Sequence, residues 1–158
     1  MYRIRISGPK KEVLATCALA EGYDVPDIQF EKGTDDEFVL ICEMETRYDA
    51  SPYSGEEDWD GERFPLDDIS EPALRDMTMG GELDELEDLR ETGLKNITGC
   101  LGTDVRMVNI PDDDDVPVIN LYRCFNGQDL KFDMRHLDED IDPYDFSDSF
   151  FENPEEYL

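Results

Sequence analysis

A surplus of 28 negative charges on 158 residues, left by 42 acidic and 14 basic side chains, is the condition that any fold of this chain must satisfy. Self-repulsion on that scale opposes compaction, and charge alone would favour disorder. Against it stand 39% hydrophobic residues, with 7 Tyr, 8 Phe and 1 Trp among them. That much apolar material supports one domain with a real core. The expectation is a single folded domain over residues 1–137, with acidic loops and an acidic, aromatic tail over residues 138–158.

The same surplus selects partners. Duplex DNA carries one charge per roughly 1.7 Å of axis, so 28 charges match about 48 Å of duplex. A globule of this length is about 40 Å across. Nucleic acid and anionic membrane are therefore poor direct partners, and a basic protein surface is a good one. The four cysteines, Cys17, Cys42, Cys100 and Cys124, lie far apart without a CxxC pair. They read as small buried hydrophobes in a reducing compartment. Residues 1–6 already alternate as a strand and no apolar run reaches membrane-spanning length, so a cytoplasmic location is expected.

Periodicity predicts an α+β domain with an antiparallel or mixed sheet and two or three helices. Tyr2, Ile4 and Ile6 alternate with polar residues, and Gly8-Pro9 opens a helix with Val13, Leu14, Cys17 and Ala18 on one stripe. A short strand at 27–30 follows, then a strand at 38–46 whose Val39 and Ile41 suggest cover on both sides. This β-α-β opening is compatible with a ferredoxin-like start. Helices are expected from Ser70 as cap to Met79 and from Glu82 to Thr92. Strands follow at 104–110, 116–125 and 130–134. Asn126-Gly127 predicts a two-residue hairpin turn that sets Leu121 opposite Phe132 and Ile119 opposite Met134.

Support for catalysis is thin. His136 is the lone histidine, and no nucleophile elbow, zinc-protease motif, phosphate loop or dinucleotide fingerprint occurs. Asp138, Asp140 and Asp142 have the first spacings of a calcium loop. Pro143 and Ser149 stand where that loop needs Gly and Glu, so no metal site is expected. No cofactor is expected either.

What remains is three acidic clusters: Glu56, Glu57, Asp58, Asp60 and Glu62 around Trp59; Asp112, Asp113, Asp114 and Asp115 at a hairpin tip; and Asp138, Asp140, Asp142, Asp145 and Asp148 in the tail, interleaved with Tyr144, Phe146, Phe150 and Phe151. A single charge run is usually a solvated face. Three runs with aromatic anchors among them are the candidate partner-binding surface, with the tail expected to be loosely held until a partner orders it.

In composition, though in no motif, the chain resembles small acidic inhibitors from phages and plasmids that imitate nucleic acid to block restriction or CRISPR complexes. That resemblance implies a non-enzymatic, stoichiometric inhibitor of a basic nucleic-acid-binding effector, with carboxylates in the place of phosphates. Two alternatives are an immunity protein against a basic nuclease toxin and a halophile-adapted domain of other function. The 24 Asp and the 5 Lys against 9 Arg suit the last, and four cysteines suit it poorly.

Overall fold

The structure, a computed structural model, describes residues 1–46, 51–110 and 118–158. Among the described residues six strands form one antiparallel sheet: β1 (Tyr2–Gly8), β2 (Asp27–Gly33), β3 (Phe38–Met44), β4 (Asp104–Asn109), β5 (Val118–Phe125) and β6 (Lys131–His136), in the order β2-β3-β1-β4-β5-β6. Five α-helices among the described residues accompany it: α1 (Lys10–Ala18), α2 (Glu71–Thr78), α3 (Asp84–Arg90), α4 (Leu94–Leu101) and α5 (Pro143–Glu152). The α+β domain is as expected, with more helices than periodicity had suggested.

Alternation in β1 drives the layering. Tyr2, Ile4 and Ile6 pair across with Met44, Cys42 and Leu40 of β3, and Ile4 and Ile6 also pair with Met107 and Val105 of β4. These residues form the sheet's first face, and α1 to α4 bury it with Leu14, Leu74, Leu86 and Ile97 among others. Ser70 caps α2 by accepting from the Ala73 N–H at 3.2 Å, as its side chain suggested. Helix α4, absent from the sequence reading, carries Leu94, Ile97 and Leu101 on one stripe and stops at Gly102 with φ +67°. Cys17, Cys42 and Cys124 are buried, Cys100 is half-buried, and all four thiols are free.

The second face carries Val108, Ile110, Ile119 and Leu121, and α5 covers it with Phe150 and Phe151. Here the loosely held tail needs correction. Phe150 is 0% exposed and Phe151 3%, and Tyr157 stacks edge-on against Phe146 and Phe150 at 5.2 and 6.0 Å. Asp142 begins the helix by accepting the Tyr144 N–H at 2.9 Å, with Pro143 in the first turn. The physical reason is that the sheet offers this segment both an apolar bed and cations.

The hairpin register also differs by one residue. Leu121 faces Asp133, and Tyr122 faces Phe132 at 5.1 Å between ring centroids. Asn126 and Gly127 do turn the chain at positive φ, and the Gln128 N–H reaches the Phe125 carbonyl at 2.9 Å. Gln128, Asp129 and Leu130 then lie outside the strand, which moves β6 along by one. Phe132 and Met134 consequently stand on the first face at its margin, each 54% exposed. Among the described residues no helix is long and apolar enough to cross a membrane.

Candidate functional site

Charge is sorted by the sheet. Because opposite residues of an antiparallel pair share a face, the registers put Arg5, Arg106, Arg123 and Lys131 in one row across β1, β4, β5 and β6. Arg3, Lys32 and Arg135 share that face, so it carries seven of the chain's fourteen basic residues. Like charges directly opposite one another are unfavourable, and the neighbours show how the row is held. Asp104 sits 3.1 Å from both Arg106 and Arg123. Burial pushes the Asp104 carboxyl up, but hydrogen bonds from Arg123 and Arg106 outweigh it and hold the pKa below the usual value.

Four arginines of this face latch the last segment. Arg3 pairs with Asp148 and donates to the Ser147 hydroxyl at 2.6 Å. Arg106 donates to the Phe151 carbonyl, Arg123 lies 3.3 Å from Glu155, and Arg135 donates to the Tyr157 carbonyl at 2.8 Å. These four guanidiniums are thereby engaged inside the molecule.

The cluster around Trp59 is held as one piece. The indole rests on Gly99 of α4 and Gly127 of the hairpin turn, where a Cβ on either glycine would overlap the ring. Its N–H donates to the Glu62 carbonyl at 2.7 Å, and Arg63 stacks on it at 5.0 Å while donating to the Gly99 and Asn126 oxygens. Trp59 therefore anchors the loop through one face of its ring and stays half-exposed. Glu56, Glu57, Asp58, Asp60 and Glu62 all point to solvent. Asp58 lies 2.7 Å from Lys95, which also holds Asp129 at 2.7 Å, and its pKa is lowered by the Lys95 hydrogen bond and charge.

The other expected site residues divide. Phe150 and Phe151 belong to the core, which removes them from the surface, and Phe146 is half-buried against Tyr157. Tyr144 is 42% exposed with Arg3 over its ring, and Asp138, Asp140, Asp142 and Asp145 are exposed. Asp148 is exposed but engaged by Arg3. Asp112, Asp113, Asp114 and Asp115 lie outside the described residues. No group of His, Cys, Asp and Glu among the described residues could hold a metal ion.

Sequence reading missed one acidic surface. Residues 51–93, which cross from β3 toward β4 over the first face, contain fifteen acids and three bases. Asp67, Asp68, Glu82, Asp84, Glu85, Asp88 and Glu91 are exposed there, beside the Trp59 loop. Asp84, Glu85 and Asp88 look like the ordinary polar side of α3 and the others like loop residues, so only a net count over the whole crossover picks them out. The arrangement can present a broad carboxylate surface on an ordered support. Compared with family models, curated proteins and solved structures, the chain matches none.

Proposed function

We propose that this protein is a stoichiometric inhibitor of a basic nucleic-acid-binding effector, such as a restriction or CRISPR complex, and that it competes with nucleic acid for the effector's groove. The observation that carries this reading is the separation of charge. Of the seven cations gathered on one sheet face, four arginines are spent on internal carboxylates and carbonyls, while the Trp59 loop and the adjoining crossover keep their acids in water. Such sorting suits a surface that must attract cations, because fixed carboxylates need no ordering when they replace phosphates. The first four strands, in the order β2-β3-β1-β4 with helical crossovers after β1 and β3, are read as a ferredoxin-like core extended by the β5–β6 hairpin. That scaffold implies no activity, so the reading rests on the surface.

The test begins with a pull-down from host lysate at low salt, with mass spectrometry of the retained proteins, and continues with nucleic-acid competition on the captured effector. Displacement of DNA or RNA at one inhibitor per effector is expected. The association rate should fall steeply from 0.1 M to 1 M salt, as the Debye length shortens from about 10 to about 3 Å. A ternary complex with undiminished nucleic-acid affinity, or a rate indifferent to salt, would defeat the proposal.

A further inference from the structure

A groove of about 750 Å³ runs along the second face, between α5 and the β2–β3 hairpin. Its size is that of a small-molecule site, roughly 300–1,000 Å³. Arg5 lines it, half-buried, at the open end of the cation row. Each of the other arginines on that face has a carboxylate: Arg3 has Asp148, Arg106 has Asp104, Arg123 has Asp104 and Glu155, and Arg135 has Asp133. Arg5 makes no ion pair among the described residues and donates only to the Ser7 hydroxyl at 3.3 Å. Burial lowers its pKa and the charge of Arg106 lowers it further, and Asp104, already shared by Arg106 and Arg123, offsets this only in part. In a chain with three acids for every base, a half-buried guanidinium with no carboxylate of its own is an under-compensated cost.

The walls limit what can meet it. Phe30, Ile41 and Phe151 supply apolar surface, and Phe30 is 45% exposed. At the rim, Asp36, Glu37 and Glu152 outnumber Lys32, and all four are exposed and make no ion pair among the described residues. A simple anion would be repelled by this rim and by the molecule's net charge. A ligand with a cation as well as a carboxylate is complementary to both ends. We propose that this groove binds a small zwitterionic ligand of peptide type, its carboxylate on Arg5, its apolar body against Phe30, Ile41 and Phe151, and its cationic end toward the acidic rim. The site is separate from the Trp59 loop and does not depend on the inhibitor reading.

The probes are the tripeptide Lys-Leu-Phe and its C-terminal amide, titrated calorimetrically into the intact protein. Net charge alone favours the amide, which carries one more positive charge. The groove favours the free acid, which should bind one-to-one at least tenfold more tightly. Arg5→Gln should bring the acid down to the level of the amide, and Phe30→Ala, at an exposed edge position, should weaken the acid. An amide that binds as well as the acid, a preference that survives Arg5→Gln, or no binding of either peptide at millimolar concentration would each overturn the proposal. The acid-to-amide comparison on the unaltered protein stands even if Arg5→Gln does not fold.

Discussion

Asp104 carries more of this fold than its single charge suggests. Its carboxylate lies between two arginine side chains that are only 13% and 12% exposed, and the Arg106 Nε is already without a partner. Asp104→Asn leaves both guanidiniums facing one another, and we expect a loss of about 3 kcal/mol, the low end for a broken buried pair. The pH dependence follows in sign. The folded-state pKa lies below the unfolded one, so the contribution is complete above about pH 4 and disappears as pH falls through the folded value. Urea melts of the two proteins should therefore differ most at neutral pH and converge in strong acid. A gap that persists there would assign the effect to packing. Gly99 is the second such position. Gly to Ala within a helix ordinarily stabilises by about 0.5–1 kcal/mol, but here the added methyl meets the Trp59 ring. Gly99→Ala should shift the emission of the sole tryptophan to the red with the far-UV circular dichroism unchanged. An unshifted spectrum would mean that the indole does not rest there.

Among the elements, α5 shows what charge can hide. Asp142-Pro143 is a helix start, and Phe146 and Phe150 stand one helical turn apart, as do Ser147 and Phe151. Those signals were present in the sequence, but nine acids between 138 and 158 made docking look prohibitive. What was missing was the set of arginines that neutralise the segment, because they come from four different strands and meet only in the folded sheet. The β1, α1, β3 and α2 assignments depended on nearest-neighbour periodicity and were legible. The β6 register depended on where one extra residue after the turn is accommodated, which periodicity does not specify. Phe150→Ala should cost about 3–5 kcal/mol, as for a large aromatic removed from a core. Removing everything after Leu137 should abolish the cooperative melt, since Val108, Ile119 and Leu121 would then face water. A truncated protein that melts like the full chain would show that α5 contributes nothing to the core.

For the molecule as a whole, net repulsion is the main destabilising force that solvent can relieve. The melting temperature should rise as sodium chloride goes from about 10 to about 200 mM, where the Debye length falls below about 10 Å, and should change little beyond that. Cooperative unfolding should persist at the lowest salt, because the latch cations and the two cores need no outside ions. Collapse of the fold at low salt, with recovery only at molar concentrations, would instead favour adaptation to brine as the cause of the acidity. The candidate surface was only partly legible at this scale. The Glu56–Glu62 cluster stood out as a run, whereas the larger crossover surface emerges from acids distributed over α3 and the loops beside it.

The contact between Arg3 and the residues of α5 also dictates timing. The first strand lies between the third and the fourth, and its arginine waits for Ser147 and Asp148, more than 140 residues later. Pairings so distant in sequence make for slow folding. While the chain is being synthesised, the strip formed by Val108, Ile119 and Leu121 stays uncovered until Phe150 and Phe151 have emerged from the ribosome. Until then the nascent sheet has one finished side and one that can adhere to its neighbours, so its yield in the cell depends on how quickly the last two turns of helix follow.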